Sequence, residues 1–261
     1  RKRWGSSSSP IIHGDLVFIN ALQEGHKIFA LNKADGKIAW QWGPDAYSSY
    51  QDAYGTPSLV KAKDKTELVL AVPGEIWSFD AKKGNITWYA YTNVGAGRGN
   101  VSPSTITGGD ALYVFGGRPG SGVAVRLGGK GEVKESSQLW TSRNSPYVAT
   151  PVYHEGHLYW MDRSGYAVCL NAKTGKETYR ERLQSSGRTP QFYASPVVVD
   201  GKIISVSRNA GAFVLEAKPK FKQLAQNTFA SDRSVFNASP AVSNKRLFLR
   251  SDTHLYCIAG E

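Results

Sequence analysis

The strongest constraint on this chain is a Ser-Pro or Thr-Pro pair that recurs six times at nearly constant spacing. Successive pairs lie 44 to 48 residues apart along a sequence of 261 residues. Self-similarity at such a period is typical of repeat architectures, because each unit must stack on its neighbours to bury its apolar face. The prolines of the six pairs are Pro10, Pro57, Pro103, Pro151, Pro196 and Pro240.

Each repeat contains four short apolar segments separated by turn residues. In the first repeat these segments cover residues 11–12, 16–19, 27–31 and 38–40. Proline suits the first position of a strand, since it has no N–H to donate to a neighbouring strand. The pattern predicts a four-stranded antiparallel meander. We therefore predict an all-β fold, a β-propeller of four-stranded antiparallel blades, with one domain over residues 1–261 and repeats that open near residues 9, 56, 102, 150, 195 and 239.

Three repeats depart from the plan. The third carries a glycine-rich insertion between Gly116 and Gly131, and its first part, Gly116–Gly122, predicts a long hairpin loop. The fifth lacks both the turn glycine and the terminal aromatic residue, and the sixth stops before a fourth strand. The repeats therefore predict six recognisable blades of unequal regularity.

An aromatic residue closes four of the repeats. A ring of this kind offers roughly 150–250 Å² of surface to bury, which contributes about 4–6 kcal/mol as an upper bound. We expect these rings to pack between adjacent blades and hold them in register. The residues are Trp40, Trp88, Trp140 and Tyr179.

The segments that end on these aromatic residues resemble the pyrroloquinoline-quinone (PQQ) propeller repeat, whose signature is Ala-Leu-Asp-x-x-Thr-Gly-Lys-x-x-Trp. The best matches are 30–40 and 169–179, followed by 78–88. The resemblance implies a bacterial protein that is exported to the periplasm or the extracellular space. It also implies seven or eight blades, so we expect this chain to be a fragment that lacks about two upstream blades. The alternative is a closed ring of six blades, in which a strand containing Trp4 completes the sixth.

Composition adds few constraints. No apolar stretch reaches membrane-spanning length. Cys169 and Cys257 occupy the same repeat position, and we interpret them as two buried small hydrophobic residues, with a disulfide as the alternative. The net charge of +11 attracts polyanions, but the basic residues are scattered, which disfavours a nucleic-acid partner.

A ligand site is expected where the connections between successive blades converge. Four connections carry an arginine at a similar distance before the proline, namely Arg98, Arg143, Arg188 and Arg233, and Asn100 lies in the first of them. Guanidinium groups make forked hydrogen bonds to oxyanions. We predict a collar of positive charge that binds a carboxylate, phosphate or sulfate, with ordinary solvated arginines as the alternative.

Catalysis has less support from the sequence. A quinone-dependent enzyme needs a calcium ion held by carboxylate and amide oxygens, for which Asp52, Asn100 and Asp232 lie in suitable loops without a diagnostic spacing. The segment His154–His157 is not a His-Glu-x-x-His motif, and we interpret it as a hairpin turn. We assign no catalytic residue and no metal ligand.

Two functions follow from these features, and a third, a polyanion-binding surface protein, rests on the net charge alone. The first is a non-catalytic propeller that acts as a binding or assembly scaffold, without a cofactor, for a protein, a glycan or a small anionic ligand. In this it resembles the exported propeller lipoprotein that helps assemble outer-membrane barrels. The alternative is a PQQ-dependent oxidoreductase, with PQQ and calcium as cofactors, or a degenerate relative of one.

Overall fold

The computed structural model describes residues 5–44, 52–62, 65–97, 99–117 and 120–260. These residues form β-strands joined by turns, with one four-residue α-helix and one short 3₁₀ helix. The chain divides into two compact units, Arg1–Ser145 and Pro146–Glu261. Within the described ranges, no helix has the length and apolar character that a membrane span requires.

Among the described residues the first unit contains three sheets, one for each of the first three repeats, and each is built on an antiparallel four-stranded meander. We call them blades 1 to 3 and number the strands in chain order. In blade 1, the helix α1 (Leu22–Gly25) lies between the second and third strands. The strands of blade 1 are β1 (Ile11–His13), β2 (Leu16–Ala21), β3 (Lys27–Asn32) and β4 (Ile38–Trp42). Those of blade 2 are β5 (Ser58–Ala62), β6 (Lys65–Val72), β7 (Glu75–Asp80) and β8 (Ile86–Tyr91).

Blade 3 contains the glycine-rich insertion, which adds a strand to its neighbour. Its own strands are β9 (Ile106–Gly108), β10 (Ala111–Gly116), β11 (Ser121–Arg126) and β13 (Gln138–Ser142), preceded by the 3₁₀ helix Glu135–Ser137. The extra strand β12 (Gly131–Val133) pairs in parallel with β8 and becomes the fifth strand of the blade 2 sheet. An added strand satisfies backbone groups that the outer edge of blade 2 would otherwise expose.

The prediction of a long loop over Gly116–Gly122 is wrong. Strands β10 and β11 pair as far as Gly116 and Ser121, so four residues separate them and most of the predicted loop is strand. The glycine at position 122 fits a strand here for a steric reason. A Cβ atom at Gly122 would lie 2.7 Å from the ring of Phe115, so the paired strand leaves room only for a hydrogen.

The second unit contains blades 4 to 6. Blade 4 has β14 (Val152–His154), β15 (His157–Met161), β16 (Tyr166–Asn171) and β17 (Glu177–Arg182). Blade 5 has β18 (Val197–Val199), β19 (Lys202–Val206), β20 (Ala212–Glu216) and β21 (Gln223–Asn227). Blade 6 has three strands among the described residues, as predicted: β22 (Ala241–Ser243), β23 (Arg246–Arg250) and β24 (Leu255–Ala259). These sheets confirm the all-β blade architecture.

The closing aromatic residues lie opposite small residues. In blades 1 to 4 the ring on the fourth strand is paired with Ala30, Ser78, Ala124 or Cys169 on the third strand, and a bulge follows immediately. Blade 5, which lacks the ring, reverses the sizes and pairs Val214 with Ala225. In blades 1 to 4 the small residue leaves room for the ring opposite it, as close packing of a core requires.

Within each unit three of the four closing rings, Trp40, Trp88 and Tyr179, also pack between neighbouring blades, as predicted. Trp40 of blade 1 lies against Phe79 of blade 2 with ring centroids 6.0 Å apart, and Tyr179 of blade 4 meets Phe221 of blade 5 at 5.6 Å. Trp88 is fully buried in a cluster that joins blades 2 and 3. The apolar core of each unit is thus built from pairs of adjacent blades.

The two cysteines are free, and their environments differ. Cys169 is fully buried opposite Tyr179, which confirms the interpretation of a small core residue. Cys257 is exposed, so the expectation that it is buried is wrong. Its strand β24 is the last of a three-stranded sheet, and no fourth strand of the described residues covers it. The prediction for Trp4 lies outside the described residues.

Candidate functional site

The meander places two kinds of loop at the same end of every sheet. Because consecutive strands are antiparallel, the connection from one blade to the next and the turn between the second and third strands of a blade lie together. We call this the connection end. The opposite hairpin end carries the turns between the first and second strands and between the third and fourth strands.

Two of the predicted arginines line one cleft at the connection end of unit 2. Arg188 lies in the connection from β17 to β18, and Arg233 lies in the connection from β21 to β22. The turn between β19 and β20 adds Arg208, which the sequence analysis missed. The cleft has a volume of about 260 Å³, and we call it the arginine cleft. Three guanidinium groups around one opening provide the positive charge that an oxyanion requires.

Hydrogen bonds between side chains and the backbone fix the loop that carries Arg188. The amide side chain of Gln226, on β21, accepts a 2.9 Å hydrogen bond from the backbone N–H of Ser186 and donates a 2.8 Å hydrogen bond to the carbonyl of Ala210. The hydroxyl of Ser185 donates to the carbonyl of Arg188 at 3.1 Å. One glutamine therefore joins the Arg188 connection to the Arg208 turn.

Arg208 belongs to a row of alternating cationic and aromatic side chains. Its guanidinium lies 4.4 Å from the ring centre of Tyr193, and the Tyr193 ring lies 5.9 Å from that of Tyr147. Arg163, from the second-to-third turn of blade 4, lies 5.1 Å from the Tyr147 ring centre. Cation–π contacts of this kind orient guanidinium groups. We call Arg163, Tyr147, Tyr193 and Arg208 the Arg–Tyr row.

Two further observations show that the Arg–Tyr row is held in place. The Nε atom of Arg208 donates a 2.8 Å hydrogen bond to Oδ1 of Asn237, in the next connection. Tyr147 has a backbone φ of +75°, a conformation that is rare and costly for a residue with a large side chain. Packing therefore keeps the Tyr147 ring between its partners against a backbone cost.

Asp232 anchors the connection that carries Arg233. Its side chain is 2% exposed, and its carboxylate accepts hydrogen bonds from the backbone N–H and hydroxyl of Ser234 at 2.9 and 2.6 Å and from the Tyr256 hydroxyl at 2.8 Å. Hydroxyl donation from Ser234, and then from Ser251, holds the pKa of this carboxyl well below its ordinary value. The ionised carboxylate of Asp232 thus holds the connection from β21 to β22 in place.

The other predicted site residues belong to unit 1 or lie outside the described residues. Arg143 is exposed directly after β13. Asn100 is half-buried, and its carbonyl accepts a 3.0 Å hydrogen bond from Gly117 while its Oδ1 accepts from Ser102. Arg98 lies outside the described residues. The structure therefore brings two of the five predicted residues into one cleft, and the collar as a whole stays a prediction.

One of the three residues considered for a calcium ion does not fit that role. Both carboxylate oxygens of Asp232 accept hydrogen bonds from protein donors. Calcium takes six to eight oxygen ligands from one site. Among the described residues, no group of three or more His, Cys, Asp or Glu side chains is placed to hold a metal ion.

The segment His154–His157 forms the predicted turn. His154 and His157 are paired across the β14–β15 hairpin, and the two residues between them have φ values of +43° and +76°. Positive φ at both central residues is the geometry of a two-residue type I′ turn. The histidines are therefore explained by their hairpin.

The regular antiparallel blades and the closing aromatic residues define a β-propeller repeat protein. The chain belongs to the PQQ_2 family, whose model is described as outer membrane protein assembly factor BamB, with matches over residues 1–145 and 129–259. This confirms the resemblance to the PQQ propeller repeat.

Curated relatives and solved structures agree with this family. The chain is 24% identical to outer membrane protein assembly factor BamB of Salmonella typhimurium (strain LT2) over 197 residues, which is 72% of this chain and 45% of that protein. The corresponding Escherichia coli (strain K12) protein is 23% identical over 195 residues, 72% of this chain and 44% of that protein. The match thus spans less than half of these relatives.

Among solved structures, BamB from Moraxella catarrhalis aligns with a TM-score of 0.71 at 14% identity, over 94% of this chain and 70% of that chain. The quinohemoprotein alcohol dehydrogenase of Comamonas testosteroni aligns with a TM-score of 0.64 at 12% identity, over 86% of this chain and 43% of that chain. At these identities the structural likeness shows the fold alone.

Proposed function

We propose that this protein is a non-catalytic scaffold that binds a partner protein during outer-membrane protein assembly, on the periplasmic side. The observation that carries this proposal is the Arg–Tyr row beside the arginine cleft, at the connection end of unit 2. Tyrosine and arginine are the residues that most often dominate the energy of protein interfaces. Here they are held in fixed positions before any partner arrives.

The shape of the arginine cleft suits a partner side chain. Its volume of about 260 Å³ is small for a cofactor or a substrate, since ligand pockets are typically about 300–1,000 Å³. An aspartate or glutamate of the partner fits between the guanidinium groups of Arg188, Arg208 and Arg233. The rings of Tyr147 and Tyr193 then supply the apolar contact beside it. This arrangement provides a charged anchor with an aromatic surround.

The fixed geometry of the row lowers the cost of binding. Arg208 is already stacked on Tyr193 and hydrogen-bonded to Asn237, so it loses little rotational freedom when a carboxylate arrives. Arg188 and Arg233 are exposed in the connections and carry the adjustable part of the contact. The relatives are named as assembly factors, which supports a scaffold over an enzyme.

Site-directed cross-linking tests the proposal in the native host. A photoreactive amino acid replaces exposed Asn209 in the cleft, or exposed Lys173 at the hairpin end as the control. We expect a cross-link to one envelope protein from position 209 only, and its loss when Arg208 and Arg233 are changed to Ala. Equal cross-linking from both positions would contradict the proposal.

Complementation supplies the functional readout. Deletion of the gene should lower the amount of β-barrel proteins in the outer membrane. The full-length gene carrying Lys173→Ala should restore them, and the gene carrying Arg208→Ala with Arg233→Ala should not. Equal restoration by both versions, at equal protein levels, would show that the arginine cleft is not the binding site.

A further inference from the structure

The residues that precede the repeat prolines join neighbouring blades in unit 2. The backbone N–H of Thr150 donates a 2.9 Å hydrogen bond to Oγ of Ser195, and the N–H of Ser195 donates one of 2.9 Å to Oγ of Ser239. These three residues stand directly before the prolines of blades 4, 5 and 6. Each hydroxyl thus accepts from the same position of the blade before it. We call these two bonds the hydroxyl links.

Unit 1 contains the same kind of contact. The N–H of Ser9 donates a 2.9 Å hydrogen bond to Oγ1 of Thr56, which joins blades 1 and 2. The N–H of Thr56 donates one of 3.0 Å to Oγ of Ser104, two positions after the serine of the third Ser-Pro pair. The contact therefore recurs along the repeats, and either serine or threonine supplies it.

The conformation before a proline favours this contact. Proline restricts the residue before it to extended backbone, so the direction of that residue's N–H is fixed. The bond from Ser195 to Ser239 is exposed to solvent, and without the hydroxyl this N–H can bond water instead. Loss of the hydroxyl therefore has a small effect on stability, and its main effect is to free one connection from the next.

The hydroxyl links lie close in sequence to the side chains of the site. Each linked residue follows one of these side chains by two or three positions, and a chain spans at most about 3.3–3.6 Å per residue. A fixed link therefore restricts where the preceding side chain lies. The pairs are Tyr147 and Thr150, Tyr193 and Ser195, and Asn237 and Ser239.

Arg208 is held by two of the connections that the links join. Its N–H donates a 2.8 Å hydrogen bond to the carbonyl of Gln191, in the connection from β17 to β18. Its carbonyl accepts a 3.4 Å bond from the N–H of Phe236, in the connection from β21 to β22, where Asn237 also accepts from its Nε at 2.8 Å. The relative position of these two connections therefore decides where the Arg208 guanidinium lies.

We propose that Ser195 and Ser239 are positioning residues for partner binding, an inference that rests on the function proposed above. Their hydroxyl groups keep three consecutive connections in register, so the Arg–Tyr row is in place before the partner arrives. The described lining of the arginine cleft includes neither serine. Both therefore act through the side chains that they hold in place.

Amide hydrogen exchange tests the links in the full chain. Ser195→Ala should speed exchange of the Thr150 amide at least tenfold, and Ser239→Ala should do the same for the Ser195 amide. Ser239→Thr keeps a hydroxyl and should retain slow exchange. The control Ser243→Ala removes an exposed hydroxyl at the hairpin end of blade 6 and should leave both rates unchanged. Equal rates in the wild type and both alanine variants would overturn the proposal.

The Arg208 side chain reports on the Arg–Tyr row itself. Its Nε–H gives an NMR signal whose exchange with water should be at least fivefold faster in Ser239→Ala than in the wild type or Ser239→Thr. The melting temperature should change by less than about 4 °C, because a single exposed hydrogen bond contributes little to stability. A merely structural role would lower the melting temperature and leave the Nε–H exchange rate of the native protein unchanged, which would overturn the proposal.

Cross-linking from position 209 separates this inference from the proposed function. Ser239→Ala should lower the yield at least threefold at equal protein levels, and Ser239→Thr should restore it. An unchanged yield from Ser239→Ala, with a clear wild-type cross-link, would overturn the positioning role and leave the proposed function standing. Absence of the wild-type cross-link would remove the proposed function, and this inference with it.

Discussion

The indole nitrogen of Trp40 donates a 3.0 Å hydrogen bond to the carbonyl oxygen of Ala81, which joins blade 1 to the third-to-fourth turn of blade 2. The same ring lies against the glycine that follows in this turn. A Cβ atom at Gly84 would lie 2.6 Å from Trp40 Cδ2. The ring, the turn carbonyl and the turn glycine therefore form one contact between blades, in which each part limits the size of the others.

This contact predicts that Gly84→Ala destabilises unit 1 more than Gly36→Ala does. Both glycines have nearly the same positive φ, +74° and +73°, so both substitutions carry a backbone cost of about 1–2 kcal/mol. Only Gly84 also has the Trp40 ring in the way, whereas nothing lies within 4 Å of a Cβ at Gly36. We expect an additional loss of about 1–3 kcal/mol for Gly84→Ala, measured by urea unfolding. Equal losses would show that Trp40 can move aside at little cost.

The pairing of large and small residues across the last two strands predicts the effect of enlarging Ala30. This residue is fully buried and faces Trp40 across the β3–β4 pair, so Ala30→Leu should lower the free energy of unfolding by about 1–3 kcal/mol. Ala39→Leu is the control, because Ala39 is exposed in the adjacent bulge and should change stability by less than about 0.5 kcal/mol. Similar effects at both positions would contradict the idea that the residue opposite the closing ring must be small.

Thiol chemistry checks the two cysteine environments. Burial raises the pKa of Cys169 to about 11, so almost none of it is thiolate at pH 8, and its side chain is fully enclosed. Cys257 is exposed. A colorimetric thiol reagent should therefore modify one cysteine in the native protein and two in urea, and Cys257→Ser should abolish the fast reaction. Rapid modification of the Cys257→Ser variant would show that blade 4 opens locally.

The blade plan was readable from the sequence because its determinants are local. A proline opens the first strand of all six repeats and a ring closes four of them, and each of these residues acts on its own hairpin. The placement of β12 was not readable. It is a Gly-Glu-Val segment without alternation, and its partner β8 lies 43 residues earlier in the chain, from Gly131 to Trp88. Such a short strand is specified by its neighbour and not by its own residues.

The site was predicted in part for the same reason. Arg188 and Arg233 were found because they precede two repeat prolines at similar distances. Arg208 lies in a turn inside a blade, and only the meander geometry brings that turn to the connection end. Aligning the fourth and fifth repeats would have indicated Arg208 as a site residue. Arg163 and Arg208 occupy the same second-to-third turn in blades 4 and 5.

Asp232 predicts the response of unit 2 to acid. Its folded-state pKa lies below the ordinary value of 3.8, so folding favours the ionised carboxylate. The stabilisation is complete above the unfolded pKa and is lost as the pH falls from about 4 toward the lower folded value.

Asp232→Asn removes this contribution because the amide carries no charge and accepts with only one oxygen. The stability difference between wild type and Asp232→Asn should shrink as the pH falls below 4, as measured by urea unfolding at each pH. A constant difference down to pH 3 would show that the Asp232 carboxylate is not preferentially ionised in the folded protein. Asp252→Asn is the control, because Asp252 is an exposed carboxylate close by in the same blade and should leave the acid response unchanged.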